Sequence, residues 1–140
     1  MKLSVFTHLP EEAKAIRIAV FCDEQGFQEE FDELDKSALH VVAYNEENTP
    51  MGTCRYFPTE HVGEYAIGRI AVLPAYRKLG VGKAMIREAE RHIFYDKGTL
   101  IHIGAQVQAM PFYAKLGYVP VGERYMDEHV EHQGMEKRIS

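Results

Sequence analysis

The stretch that decides the fold is Ile70-Ala71-Val72-Leu73-Pro74-Ala75-Tyr76-Arg77-Lys78-Leu79-Gly80-Val81-Gly82-Lys83. It predicts an apolar strand, a turn broken by Pro74 and an amphipathic helix that begins just after Gly80. A glycine-bearing turn at a helix start directs several unpaired backbone N–H groups toward one point, and the helix dipole adds partial positive charge there. This combination is typical of a site for a phosphate or pyrophosphate.

The elements around this stretch predict a single mixed α/β domain over residues 1–140. The predicted strands cover residues 2–8, 38–44, 51–57, 64–73, 100–103, 118–126 and 133–139, with a bulge at Gly68. The predicted helices run from Pro10 to Gly26, from Gly80 to about Lys97, and over residues 106–116. The passage from Ile70 to Ile103 predicts a right-handed crossover between two parallel strands.

Composition and charge narrow the class of partner. A net charge of −5 disfavours a nucleic-acid surface, which needs a concentrated basic face. No stretch approaches the roughly 20 apolar residues of a membrane span, and the first eight residues lack the apolar core of a signal peptide. Cys22 and Cys54 are too few for a disulfide framework and favour reduced thiols. We expect a cytoplasmic protein that binds neither nucleic acid nor a membrane.

Two familiar glycine-rich motifs do not fit the turn. A Walker loop with Gly82-Lys83 at its centre needs glycine in place of Arg77 and Ser or Thr in place of Ala84. A dinucleotide fingerprint that starts at Gly80 needs glycine where Met85 stands. The sequence therefore argues against ATP, GTP or a nicotinamide dinucleotide by those routes.

The spacing that does fit is Arg-x-x-Gly-x-Gly, formed by Arg77, Gly80 and Gly82. Together with Gln106 and the run Pro111-Phe112-Tyr113-Ala114-Lys115-Leu116-Gly117-Tyr118, it resembles the GNAT superfamily of N-acetyltransferases over essentially the whole chain. Further matches to its YjcF/ElaA-like branch are Val20-Phe21, Glu24-Gln25-Gly26, His132 and Met135. The resemblance implies the acyl-CoA N-acyltransferase fold, a mostly antiparallel central sheet with one splayed parallel strand pair and helices on both faces.

The same resemblance implies acetyl-CoA as co-substrate. In the family the pyrophosphate lies on loop amides, which here belong to Arg77, Lys78, Leu79, Gly80, Val81, Gly82 and Lys83. The pantetheine arm pairs with the preceding strand, here Ile70, Ala71 and Val72. Gln106 stands where relatives often carry an asparagine that contacts the cofactor, and a hydrogen bond at the helix start is the alternative role.

The chemistry implied is direct transfer of the acetyl group to a primary amine on a small molecule or a protein. Tyr113 matches the family's general acid, and simple packing on its helix is the alternative. Where some relatives carry a basic glutamate this chain has Ile101, so His102, Glu64, Glu24 or water are the remaining candidates for the base. The competing class is a non-catalytic acyl-CoA-binding module that regulates a partner.

Three other features carry weaker expectations. The acidic segment from Asp23 to Asp35 contains seven carboxylates, which either attract an amine or form a solvated face. His129-Val130-Glu131-His132 offers one ligand pair without a third ligand, so we expect no metal. Both cysteines are expected to be buried and inert. Relatives often form homodimers through their last strands.

Overall fold

Strands and helices are distributed along the whole chain in the computed structural model, which describes residues 1–139. The strands are β1 (Lys2–Phe6), β2 (Leu39–Tyr44), β3 (Pro50–Pro58), β4 (Glu64–Val72), β5 (Leu100–Gln106), β6 (Val119–Pro120), β7 (Tyr125–Asp127) and β8 (Val130–Arg138). The helices are α1 (Glu11–Arg17), α2 (Leu34–Ser37), α3 (Val81–Tyr95) and α4 (Met110–Lys115), with a π-helix over Ile18–Glu24 and 3-10 turns over Pro74–Tyr76 and Val107–Ala109. The sheet is mixed, with one parallel pair, which confirms the expected fold class.

The first of two compact units comprises Met1–Phe57 and Ile67–His92. Its strands follow the order β1-β2-β3-β4, and β2 is antiparallel to both β1 and β3. The central strand β2 is fully buried over residues 41–43 because its β-branched and small side chains pack on both faces. In α3 the predicted apolar stripe is confirmed, since Met85, Ile86 and Ala89 have no exposed surface.

The second unit comprises Pro58–Ala66 and the chain from Ile93. Here β5 pairs antiparallel with β8, and both β6 and β7 also pair with β8. One face of this sheet forms the core, where Ile101, Ile103 and Ala105 of β5 alternate with more exposed neighbours. The single-domain assignment made from the sequence stays a prediction.

The first predicted helix and strand β4 both contain an irregularity in the first unit. The helix that starts after Pro10 changes type at Ile18, where wider π-helical turns carry it to Glu24. π-turns are rare in proteins and are found mostly at functional sites. In β4, Arg69 has a φ of 49°, and the bulge predicted at the neighbouring Gly68 stays a prediction.

Two boundaries in the second unit also differ from the predictions. Gln106 ends β5 instead of starting a helix, because its pairing with His132 of β8 extends the strand. The predicted strand over residues 118–126 is divided into β6 and β7, with Gly122 at a φ of 72° between them. No helix in the part of the chain that the structure describes combines the length and apolar character of a membrane span.

Candidate functional site

The candidate phosphate loop lies in the first unit, between the end of β4 and the start of α3. Ala84 is the residue whose N–H bonds back to Gly80 O, at 3.0 Å, and begins the helical hydrogen-bond ladder. The N–H groups of residues 81–83 precede that ladder, as in the first turn of any helix. Lys78 and Gly80 have left-handed backbones, with φ of 67° and 82°, and such alternation turns loop amides into a concave anion site.

The space beside this loop is open. A Cβ built on Gly80 meets no heavy atom within 4 Å, and residues 77–80 are exposed. The loop that leads into these donors is therefore accessible to solvent, as a site for an anion requires. Of the residues predicted to bind the diphosphate, 77–80 form the loop and 81–83 form the first turn of α3.

The side chain of Arg77 is held by protein groups of the same unit. Its Nε donates to Val72 O at 2.9 Å, and its two terminal nitrogens donate to the two carboxylate oxygens of Glu24 at 2.7 and 2.6 Å. These hydrogen bonds hold the pKa of Glu24 below its usual range. The side chain of Arg77 therefore links the loop to the end of β4. Glu24, a candidate for the general base, is already paired with Arg77.

The residues predicted for the pantetheine arm, Ile70–Val72, form the end of β4, and we call their main chain the strand edge. Gly52 of β3 lies directly against it, and a Cβ there would be 2.9 Å from Ala71 O and 3.0 Å from Met85 Cε. Leu73 N also donates to Met51 O at 2.9 Å. This close approach requires a glycine, so Gly52 helps to fix the position of the strand edge.

Gln106 and Tyr113 belong to the second unit. Gln106 is half-buried, and its Oε1 accepts a hydrogen bond from Gln108 Nε2 at 2.6 Å. Tyr113 of α4 is only 7% exposed, and its ring packs edge-on against Phe112 and Tyr118, with centroids 5.1 and 6.4 Å away. Packing thus fixes the orientation of the phenol ring, and its role as general acid stays a prediction.

Two other candidates for the base contact each other in the second unit. His102 Nε2 lies 2.7 Å from Glu64 Oε1, and its Nδ1 lies 3.8 Å from Glu136 Oε2. The hydrogen bond from His102 lowers the pKa of Glu64. Glu64 is the first residue of β4, at the opposite end of that strand from Ile70–Val72. The sequence treated His102 and Glu64 separately, and the structure shows them as a pair.

Three of the seven carboxylates between Asp23 and Asp35 are paired with arginines in one network. These carboxylates alternate with three guanidinium groups in a closed circuit, which we call the charge ring: Arg17, Glu30, Arg69, Asp32, Arg55 and Asp35, in that order. Its six ion pairs measure 2.6 to 3.3 Å. Positive and negative charges within the ring are equal in number, so the ring carries no net charge.

The acidic segment is solvated only in part. Five of its seven carboxylates are exposed, as a solvated face predicts, whereas Glu30 and Asp35 are buried. Burial opposes ionisation of Asp35, but hydrogen bonds from Arg17 and Asp32 N, with the Arg17 charge and a further hydrogen bond from Arg55, outweigh it and hold its pKa far below the usual range. The sequence missed the ring because its arginines lie on α1, β3 and β4, and no local pattern marks them as partners.

An open cavity of about 480 Å³ borders the charge ring. It is lined by His8, Leu9, Lys14, Phe31, Asp32, Asp35 and Lys36. Its two carboxylates already pair with arginines, while its lysines add positive charge. The cavity therefore offers no surplus negative charge for an amine.

Comparison with known sequences assigns this chain to a family. The profile of an acetyltransferase (GNAT) domain matches residues 7–139. This chain belongs to the GNAT family. YyaT of Bacillus subtilis is 38% identical over 135 residues, covering 92% of this chain and 88% of YyaT. The N-acetyltransferase YjcF of the same organism is 33% identical over 130 residues, covering 91% of both chains.

Solved structures agree with the assignment of the fold. The crystal structure of ElaA from Escherichia coli has a TM-score of 0.85 at 22% identity and covers 97% of this chain and 98% of its own. An aminoglycoside 6′-N-acetyltransferase, solved with coenzyme A, has a TM-score of 0.78 at 15% identity over 99% and 97% of the two chains. The expected YjcF/ElaA-like GNAT assignment is confirmed. The chain is therefore a GNAT-type acyltransferase, and the family transfers acyl groups from CoA.

The remaining candidates from the sequence are the histidine pair and the two cysteines. His132 lies in β8, and its Nδ1 is 3.0 Å from Val130 O. Within residues 1–139, no group of three or more His, Cys, Asp or Glu side chains is placed to hold a metal ion. Cys22 is half-buried. Complete burial raises the pKa of the Cys54 thiol to about 12, so it stays protonated at neutral pH and cannot act as an acyl relay.

Proposed function

We propose that this GNAT protein transfers the acetyl group of acetyl-CoA directly to a primary amine on a small molecule or a protein. The observation that carries the proposal is the first turn of α3, whose N–H groups precede the helical hydrogen bonds and follow the exposed loop residues 77–80. Unpaired N–H groups at the start of a 15-residue helix favour a diphosphate both by hydrogen bonding and through the helix dipole. In this proposal residues 77–83 bind the diphosphate of CoA.

The strand edge Ile70–Val72 then receives the pantetheine arm. Because Arg77 already uses Val72 O, the arm is assigned to the other main-chain groups of this edge. A backbone N–H directed at the thioester oxygen stabilises the tetrahedral oxyanion, and one such donor is commonly worth about 3 kcal/mol of barrier. Gln106 supplies an amide contact to the cofactor in the same proposal.

The reaction begins when a neutral amine attacks the thioester carbonyl carbon. The tetrahedral intermediate collapses, the carbon–sulfur bond breaks, and the leaving thiolate takes a proton. We assign that proton to the hydroxyl of Tyr113, because a phenol is a proton donor suited to a leaving thiolate.

No side chain is assigned as the general base. Glu64 begins β4, six positions before Ile70 in the sequence, and its carboxylate is already paired with His102. Its partner His102 is held there by their hydrogen bond. In this proposal the substrate therefore attacks as a neutral amine, and water takes the proton that its nitrogen loses as the amide forms.

The test is release of free CoA thiol from acetyl-CoA in the presence of amines, polyamines and peptides. The proposal expects release with at least one acceptor class, and mass spectrometry of the product locates the acetyl group on nitrogen. Isothermal titration with CoA is run in parallel. CoA binding without thiol release from any acceptor supports the competing class, a non-catalytic acyl-CoA-binding module.

A further inference from the structure

Arg69 has an unusual backbone for its place in the fold. Among residues 1–139, it is the one non-glycine strand residue with a positive φ, at 49°. It lies in β4 directly before the edge Ile70–Val72. A long side chain in this conformation costs free energy, so the conformation persists only where the surroundings impose it.

The guanidinium of Arg69 is held by the loop between the π-helix and α2. Its Nε lies 3.1 Å from Glu30 O and 3.0 Å from Glu30 Oε2. Its Nη2 lies 3.3 Å from Asp32 Oδ2. Since both partners are members of the charge ring, Arg69 ties β4 to the whole ring.

The opposite side of the charge ring is buried and fixed. The side chains of Arg17 and Arg55 are 1% and 5% exposed, and they belong to α1 and β3. A buried charge that loses its partner destabilises a protein strongly, so the ring resists opening. Glu30 and Asp32 are thereby held at fixed positions against β4, and they fix Arg69 in turn.

We propose that Arg69 is a positioning residue, whose left-handed backbone, locked by the charge ring, orients the strand edge Ile70–Val72 for the acyl-CoA arm. This rests on the proposed function, which assigns the arm to that edge. A residue with positive φ interrupts the regular alternation of a strand and redirects the N–H and C=O groups that follow it. The three ring carboxylates of the acidic segment thus act on the donor site through their arginine partners.

Three substitutions of Arg69 separate the effect of its guanidinium group from the effect of its backbone conformation. Arg69→Ala removes the guanidinium and keeps the cost of a positive φ, whereas Arg69→Gly removes the guanidinium and adopts that φ freely. Arg69→Lys keeps the charge without the forked donor. Ile67→Val, a buried residue of the same strand, controls for lost stability. Arg91→Ala, which removes an exposed arginine of α3, controls for lost charge.

The measurements are the dissociation constant for CoA by calorimetry and backbone amide exchange of residues 70–72 in the free protein. Arg69→Ala is expected to weaken CoA binding about tenfold or more and to speed that exchange, with Arg69→Gly and Arg69→Lys intermediate. The two controls are expected to bind CoA within about twofold of wild type. Asp32→Asn, at a half-exposed ring position, gives a milder version with about a threefold effect if the Arg69 variants do not fold.

Two results would overturn the role of Arg69. The first is CoA binding within about twofold of wild type in both Arg69→Ala and Arg69→Gly. The second is an equal loss of affinity in Ile67→Val at the same loss of thermal stability. Failure of the wild-type protein to bind CoA is a distinct outcome, because it overturns the proposed function and removes the role of Arg69 with it.

Discussion

Glu24 and Arg77 form a bidentate ion pair across 53 positions of sequence, with donor–acceptor distances of 2.6 and 2.7 Å. Glu24 ends the π-helix, and Arg77 begins the phosphate loop. Because Arg77 also donates to Val72 O, the pair joins three segments: the π-helix, the end of β4 and the loop. The side chain of Arg77 therefore holds the loop through its contacts with Glu24 and Val72.

Glu24→Gln tests this support. The substitution removes the charge that fixes Arg77, so the loop is expected to become less ordered and CoA affinity to fall about three- to tenfold. Because both side chains are more than one-third exposed, the free energy of unfolding should fall by no more than about 1 kcal/mol. Calorimetric titration with CoA and urea unfolding measure the two quantities. Glu88→Gln makes the same change in the Arg91 pair of α3 and should leave CoA binding intact. Unchanged or tighter CoA binding in Glu24→Gln would contradict the bracing role.

Gly52→Ala tests the contact between β3 and β4. Its Cβ would lie 2.9 Å from Ala71 O, so a strand must shift, and the free energy of unfolding is expected to fall by about 2 kcal/mol. Gly68→Ala is the matched control, because a Cβ there meets nothing within 4 Å. Urea unfolding of both variants provides the measurement. Equal stability of the two variants would show that the close approach at Gly52 is not restrictive.

Acid stability tests the charge ring. The pKa of Asp35 is lowered in the folded protein, so its contribution is complete above the unfolded pKa near 4 and is lost as the pH falls below it. Asp35→Asn is expected to cost about 3 kcal/mol at pH 7, because Arg17 and Arg55 lose a buried partner. The difference from wild type should narrow between about pH 4 and pH 2. The contribution of Glu30 to stability changes with pH in the opposite sense to that of Asp35, because burial raises the pKa of Glu30. A difference that stays constant with pH would show that Asp35 titrates normally.

Tyr113→Phe tests the general acid. With an acceptor identified by thiol release, kcat is expected to fall about 100-fold or more, while the CoA dissociation constant stays within about twofold. Tyr118→Phe makes the same chemical change beside it and should leave kcat near the wild-type value. Steady-state kinetics across pH provide the measurement. An unchanged kcat and pH profile in Tyr113→Phe would remove this phenol from the mechanism.

The parts of the fold that follow from short-range signals were predictable. Gly80 and Gly82 mark the start of α3, and the apolar stripe of that helix predicts which residues are buried. The alternation of β5 likewise predicts that Ile101 is buried and that His102 is not. These features depend on periodicity and turn chemistry within a few residues.

The parts that the sequence did not reveal depend on long-range pairing. The burial of Glu30 and Asp35 was missed because the partners of the ring carboxylates, Arg17, Arg55 and Arg69, are dispersed over three elements. Gln106 reads as a helix start because its strand partner, His132, is 26 positions away. A π-helix has no local sequence pattern that distinguishes it from an α-helix, so its start at Ile18 was also missed.

The most direct measurement of the central claim is calorimetric titration of CoA into wild-type protein and Gly82→Glu. The substitution places a side chain and a negative charge in the first turn of α3, where the diphosphate is expected to bind. Val62→Glu adds the same charge at a fully exposed position and serves as control. We predict that wild type and Val62→Glu bind CoA alike and that Gly82→Glu binds about 100-fold more weakly or not at all. Tight CoA binding by Gly82→Glu would contradict the assignment of this loop.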